Sequence, residues 1–123
     1  MRVLLSIKPE FALKIFDGSK KYEYRRIIFK REQVTRVVVY ASAPIGKVIG
    51  EFEIADILHD EPKRLWVKTN QHAGINREKF FDYFSDRDKG YAIKVKHYAK
   101  YDSPKSLNSF MVTSPPQSFL YLK

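Results

Sequence analysis

The stretch GSKKYEYRR, residues 18–26, carries the strongest indication of fold and function in this 123-residue chain. Apolar residues before it, between positions 11 and 16, fall on one helical face. Pro9 suits the start of that helix, because the first helical N–H has no intrahelical partner. Gly18 suits its end, where a left-handed residue is needed. The chain then returns as a strand, predicted over residues 20–28.

Three charged side chains of this stretch form a candidate binding cluster. Glu23 and Arg25 share one face of the predicted strand by parity. Lys20 has the opposite parity, so it can join them only from the turn that precedes the strand. Arginine and lysine suit phosphate oxygens, while a carboxylate would repel phosphate unless it accepts hydrogen bonds from a base edge. The alternative is a solvated strand face with weak ion pairs, which periodicity alone favours.

The remaining pattern predicts a single α+β domain, residues 1–123. Apolar or alternating runs predict strands over 2–7, 34–41, 47–58, 91–100 and 118–122, with Gly50 marking a bulge or a close backbone approach. Helices are predicted over 62–73 and after the N-cap residue Asn76. Strands outnumber helices and are joined by short turns, which favours a mostly antiparallel curled sheet or small β-barrel with helices packed at its ends.

Composition restricts the classes of function. The chain has 23 Lys and Arg against 14 Asp and Glu, a net charge of +9, which favours a polyanionic partner. It has no cysteine, which excludes a thiol nucleophile and thiolate zinc ligands and fits a cytoplasmic location. No stretch resembles a signal peptide or a membrane span. His59, His72 and His97 show no ligand spacing, so we expect no metal and no cofactor.

The spacing Gly-x-Lys-x-x-Glu-x-Arg from Gly18 to Arg25 resembles the signature of the ASCH domain family. Other segments in the same order are similar to the family: SIKP at 6–9, YAS at 40–42, GE at 50–51, GYAI at 90–93 and PQSF at 116–119. The resemblance therefore extends over nearly the whole chain.

This resemblance implies a PUA-like β-barrel with a cleft between the first helix and the sheet. The family is regarded as RNA-binding or RNA-modifying, so the expected partner is RNA or a nucleotide, with a regulatory role in RNA metabolism or translation as one form of that function. The predicted binding residues are Ser6, Lys8, Lys20, Glu23, Arg25, Arg26 and Ser42.

The alternative is a hydrolase that uses the same cleft, either a ribonuclease or an amidohydrolase acting on acetylated cytidine. Lys20 and Glu23 would then be the catalytic acid/base pair, with Arg25 as the cation, in a metal-free ribonuclease. One branch of the family hydrolyses the acetyl amide of acetylated cytidine through a lysine, a threonine and a glutamate. Here Glu23 occupies the threonine position, and the loop at 72–75 has no carboxylate. A protein–protein adaptor is a third possibility, since fold does not fix function.

Two other features have a structural and a functional interpretation. Lys94, Lys96, Tyr98 and Lys100 would share one face of their strand, where they could hold a nucleic-acid backbone or simply protect an edge strand. Trp66 could stack on a base, but tryptophan is more often part of a core.

Overall fold

The computed structural model describes all residues from Met1 to Lys123. Six strands and three α-helices follow one another along the chain, with 3₁₀ turns at Asn70–His72 and Leu107–Phe110. The elements are β1 (Arg2–Ile7), α1 (Pro9–Phe16), β2 (Tyr22–Arg25), β3 (Arg36–Ala41), β4 (Lys47–Asp60), α2 (Pro62–Thr69), α3 (Arg77–Tyr83), β5 (Gly90–Lys105) and β6 (Phe119–Leu122). No helix is long and apolar enough to cross a bilayer.

All six strands belong to one sheet, in the order β2-β5-β4-β3-β1-β6. Only β1 and β3 run parallel, and the other neighbours are antiparallel, so the α+β class and the mostly antiparallel sheet are confirmed. The predicted closed barrel is wrong, because β2 and β6 are free edges of the sheet with no ladder between them. Both edge strands have four residues, and each pairs with only one neighbour.

The near-continuous β-branched run predicted as a central strand is β3, which lies inside the sheet between β1 and β4. Val37, Val38 and Val39 are all 0% exposed, so both faces of this strand are buried. Alternate residues of such a strand point to opposite faces, and each face therefore needs its own apolar cover.

Three apolar clusters cover the sheet. The main cluster packs Ala12 and Ile15 of α1 against one face. A second cluster covers the other face with the segment around Val112. The third joins Leu65 of α2 and Phe80 of α3 to the end of the sheet that contains β2. Helices therefore cover a face of the sheet as well as one of its ends.

The element boundaries differ from the predictions mainly at β2, α2 and β5. The strand predicted over 20–28 is reduced to Tyr22–Arg25, and α2 stops at Thr69 before a 3₁₀ turn. Strand β5 continues to Lys105, beyond the predicted end. Gly50 is a close approach, as predicted: a Cβ there would lie 2.7 Å from the Phe16 ring and 2.6 Å from the Ala99 carbonyl oxygen.

Candidate functional site

A cleft of about 520 Å³ opens where β1 ends, α1 begins and β2 passes. Its volume suits a small ligand such as a nucleotide. It is lined by Ser6, Ile7, Lys8, Phe11, Lys20, Glu23, Tyr24, Arg25, Arg26, Ile27, Ile75, Tyr83, Arg87, Gln117 and Ser118. The structure thus brings together six of the seven residues predicted for binding.

Ser42 is the predicted residue that does not line this cleft. Parallel pairing aligns Ile7 with Ala41, so Ser42 falls just past the end of β3, where its N–H donates to the Ile7 carbonyl oxygen at 3.0 Å. Its own carbonyl oxygen accepts from the Ile45 N–H in the turn to β4. Ser42 therefore belongs to the turn, a placement that sequence order alone does not reveal.

Lys20 reaches the cleft from the segment between Gly18 and β2, as its parity required. Gly18 has φ +86°, which turns the chain at the end of α1. The Lys20 N–H then donates to the Lys14 carbonyl oxygen, and the Lys21 N–H to the His72 carbonyl oxygen. These backbone bonds fix the start of the Lys20 side chain against the loop that joins α2 to α3.

The Lys20 side chain is almost fully enclosed, with 2% of the residue exposed. Its Nζ donates to the Ala73 carbonyl oxygen at 2.6 Å. The same atom lies 4.7 Å from the Tyr24 ring centre and 5.3 Å from that of Phe11. Gly74 packs on the aliphatic part of the lysine so closely that a Cβ there would meet it at 2.6 Å.

Burial lowers the pKa of Lys20 from 10.5 to about 8, because the ammonium ion loses its water. The Glu23 carboxylate opposes this shift and Lys14 adds to it. An amine with a pKa near 8 exchanges its proton close to neutral pH, which an ordinary surface lysine does not do.

Glu23 and Arg25 form a largely buried ion pair beside Lys20. The Arg25 Nη1 lies 3.4 Å from the Glu23 Oε2, and Glu23 is 6% exposed. Arg25 also donates from Nη1 to the Ser6 carbonyl oxygen at 3.3 Å and from Nη2 to the Ser118 carbonyl oxygen at 3.1 Å. One guanidinium group therefore joins β2, β1 and the start of β6.

Tyr24, which lies between Glu23 and Arg25 in β2, packs into the third apolar cluster. Its hydroxyl lies 2.7 Å from the Thr69 hydroxyl, which in turn donates to the Leu65 carbonyl oxygen. A threonine hydroxyl has a single proton, so Tyr24 must be the donor to Thr69. Burial raises the pKa of Tyr24 to about 12, which keeps this donor protonated at neutral pH.

Several cleft residues were not predicted as site residues. Phe11 was assigned to the helical core face, and Tyr83 and Arg87 lie in or near α3, far along the chain. The Arg26 Nε donates to the Tyr83 carbonyl oxygen at 2.8 Å, and its guanidinium stacks on the Tyr83 ring at 4.6 Å. Of the cleft residues that were not predicted, Ile7, Tyr24, Gln117 and Ser118 lie in segments that resemble the family and could have been identified from them.

The basic stripe predicted on β5 is broken by a β-bulge. Ile54 pairs with Val95 and Phe52 with Tyr98, so three steps on β5 match two on β4. Tyr98 therefore turns to the face of Val95, where it packs edge-on against Phe16 of α1. The proposed alternation of lysines and tyrosine on one face is wrong, because parity changes at the bulge.

Trp66 is partly buried and packs against the third apolar cluster, at the margin of the core. Its ring centre is 4.9 Å from that of Phe80 and 6.2 Å from that of Phe81. It also borders a second hollow, between α2 and α3, with Val67 and Arg77. Nowhere do three or more His, Cys, Asp or Glu side chains come together as a metal site.

The family model of the ASCH domain matches residues 5–111 of this chain. The chain belongs to the ASCH domain family. The match includes the end of β1 and all of α1 and β2, which contribute most of the cleft, and it ends before the segment that contributes Gln117 and Ser118.

Both a solved structure and a named protein that are similar to this chain come from Zymomonas mobilis. The crystal structure of ASCH from this organism superimposes with a TM-score of 0.90 at 28% identity, covering 99% of this chain and 87% of that one. The "ASCH domain-containing ribonuclease" of Zymomonas mobilis is 28% identical over 125 residues, which is 98% of this chain and 83% of the relative.

A longer relative contains the ASCH-like part as a minor share of its length. The "Large ribosomal subunit protein uL22" of Ureaplasma parvum is 30% identical over 125 residues, 98% of this chain. This chain spans only 39% of that protein's length. The ASCH-like part thus makes up most of the Zymomonas mobilis relative and a minor share of the Ureaplasma parvum one.

The loop at 72–75 lies against Lys20, at the position implied for the glutamate of the acetylcytidine-hydrolysing branch. Its contacts with Lys20 are the Ala73 carbonyl oxygen and Gly74, and it contains no carboxylate. With Glu23 in place of the threonine, this ASCH domain lacks two of the three groups of that site.

Proposed function

We propose that this ASCH domain binds RNA or a nucleotide in the cleft between α1 and β2. The observation that carries the proposal is an enclosed lysine beside an enclosed carboxylate, Lys20 and Glu23, at the floor of a cleft with cationic side chains at its rim. Such a floor holds donors and an acceptor for a base edge. A phosphate alone would leave the carboxylate unfavourably placed.

The rim and walls fit the other parts of a nucleotide. Lys8 and Arg87 are exposed lining residues, suited to phosphate oxygens. Phe11 and Tyr83 supply ring surfaces on which a base can pack. Arg25 acts as a positioning residue in this proposal, because its guanidinium already donates to protein oxygens in three places.

Binding of a labelled single-stranded RNA at several salt concentrations tests the proposal. We expect Lys8→Ala and Arg87→Ala each to weaken binding and to lower the slope of log affinity against log salt by about one. Lys123→Ala is the control, since it removes the same charge outside the cleft. If Lys123→Ala weakens binding as much as the cleft variants do, the RNA is held by general charge and the proposal fails.

RNA cleavage is the second candidate function, favoured by the pKa of Lys20 near 8 and by the relative named as a ribonuclease. Metal-free cleavage needs a base for the ribose 2′-hydroxyl proton and an acid for the leaving 5′-oxygen. Glu23 can accept the first proton and the Lys20 ammonium can donate the second. The 2′-oxygen then bonds to phosphorus as the 5′-oxygen leaves, which gives a cyclic phosphate and a free 5′-hydroxyl.

Incubation of RNA with the protein in excess EDTA separates the two candidates. Cleavage that survives EDTA and is lost in both Lys20→Met and Glu23→Gln supports the enzyme. Tight binding without product in the unmodified protein limits the function to binding. Cleavage by both variants at the rate of the unmodified protein would show that neither Lys20 nor Glu23 takes part in the chemistry.

A further inference from the structure

The polar groups on the cleft floor differ in what they can offer a ligand. The Ser6 hydroxyl donates its only proton to the Pro116 carbonyl oxygen at 2.7 Å, so it has only lone pairs left for a ligand. Glu23 is a carboxylate and can only accept, and one of its oxygens, Oε2, faces Arg25. Two acceptors, Ser6 and Glu23, thus line the same cleft.

Lys20 supplies a donor in the same cleft. Its Nζ uses one proton on the Ala73 carbonyl oxygen, and an ammonium group has three. The charge of Glu23 raises the pKa of Lys20, yet Glu23 forms its ion pair with Arg25 and not with Lys20. The donor and the acceptor are therefore two separate contacts for a ligand.

Guanine fits this set better than the other RNA bases. Its pairing edge presents one acceptor, O6, followed by two neighbouring donors, N1–H and the 2-amino group. A carboxylate can accept from both donors at once, while an ammonium group donates to O6. Uracil has a single donor between two acceptors, and cytosine and adenine have one amino group beside bare acceptors, so each places lone pairs against the Glu23 carboxylate.

We propose that the cleft selects guanine, with Glu23 accepting from N1–H and the 2-amino group and Lys20 donating to O6. This inference rests on the proposed function and adds base specificity to it. The Arg25 guanidinium, 3.4 Å from Oε2, holds the Glu23 carboxylate in place. Arg25 satisfies only part of the carboxylate, so a base that turns lone pairs toward Glu23 leaves its remaining acceptor positions without donors, and this cost is the source of discrimination.

Short RNAs that differ in one base test the proposal without changing the protein. Calorimetric titration compares UUGUU, UUIUU, UUAUU and UUUUU, where I is inosine, which lacks only the 2-amino group of guanosine. We expect UUGUU to bind about tenfold or more tightly than UUIUU, the effect of one hydrogen bond to a charged group. UUAUU and UUUUU should bind more weakly still.

Glu23→Gln should reduce the preference for UUGUU over UUIUU to about twofold or less, since an amide cannot accept from both donors of guanine with the same oxygen pair. Glu78→Gln, outside this cleft, is the control and should keep the preference. Equal binding of all four RNAs by the unmodified protein would overturn guanine selection while RNA binding stands. If the protein binds none of the four RNAs, both guanine selection and RNA binding are overturned.

Discussion

At the scale of single residues, the main feature of this ASCH domain is an ammonium group enclosed by aromatic rings and one carbonyl oxygen. Lys20 keeps one strong hydrogen bond, to the Ala73 carbonyl oxygen, and the carboxylate of Glu23 lies nearby but out of contact. Burial of a charge costs free energy unless partners replace its water. A drop in pKa from 10.5 to about 8 corresponds to about 3 kcal/mol of destabilisation of the charged form.

This cost predicts an unusual pH dependence of stability. Between pH 8 and pH 10.5 the folded state has released the Lys20 proton while the unfolded state still holds it, so the free energy of unfolding should rise with pH. Below pH 8 both states are charged, and the full cost is present. Lys20→Met should lack this rise.

Urea denaturation at several pH values measures the effect. The difference in unfolding free energy, unmodified protein minus Lys20→Met, should increase by up to about 3 kcal/mol from pH 7 to above pH 10. Other titrating groups are common to both proteins and cancel in the difference. Parallel pH curves would show that Lys20 is solvated in the folded state.

Gly74 and Gly46 provide a matched pair for testing how Lys20 is held. Both have positive φ, +64° and +61°, so alanine at either position should cost about 1–2 kcal/mol in backbone strain. Only at Gly74 would the new Cβ meet the Lys20 side chain, at 2.6 Å. At Gly46 the nearest atom is the Tyr40 hydroxyl, at 3.7 Å.

We therefore expect Gly74→Ala to weaken RNA binding and to shift the pKa of Lys20, followed by NMR of its side chain, while Gly46→Ala changes stability alone. Displacement of the lysine stem is the physical reason. If both variants lose stability and keep the same RNA affinity, the loop at 72–75 does not control the position of Lys20.

At the scale of elements, Arg25 replaces the missing strand pairing between the two edges of the sheet. Its side chain is 12% exposed and donates to the carbonyl oxygens of Ser6, at the end of β1, and Ser118, just before β6. β2 and β6 have no hydrogen-bonded ladder between them. The cleft floor thus depends on one side chain where a closed barrel would use backbone bonds.

Arg25→Gln should lower the free energy of unfolding by about 2–3 kcal/mol, because charged hydrogen bonds to enclosed oxygens are lost. Hydrogen exchange should speed up in β6, whose other contact is with β1. Arg36→Gln is the control, since Arg36 pairs with Glu51 at a more exposed position, and such pairs contribute about 1 kcal/mol or less. Similar losses for the two variants would contradict this role of Arg25.

The predictions that the structure confirms are those for elements whose ends depend on local sequence. The turn at Gly18, the start of α1 at Pro9 and the cap of α3 at Asn76 follow from local chemistry, and the structure has all three. The face on which Tyr98 lies does not follow from local chemistry, because the bulge on β5 depends on pairing with β4. Parity arguments hold only within an unbroken strand.

At the scale of the whole molecule, the cleft lies where the two open edges of one sheet approach each other. Lys20 and Arg25 come from neighbouring positions in sequence, so sequence analysis could group them. Tyr83, Arg87 and Gln117 come from remote segments, and only tertiary packing brings them to the cleft. The net charge of +9 favours polyanions over the whole surface. The buried charged residues, Lys20 and Glu23, both lie in the cleft.

The most direct test of RNA binding in this cleft is NMR titration of the isotope-labelled protein with a short single-stranded RNA. We expect the backbone amide signals of residues 6–8, 20–26 and 117–118 to shift together and saturably. Shifts confined to the hollow beside Trp66, or to the outer part of β5, with the cleft signals unchanged, would contradict it.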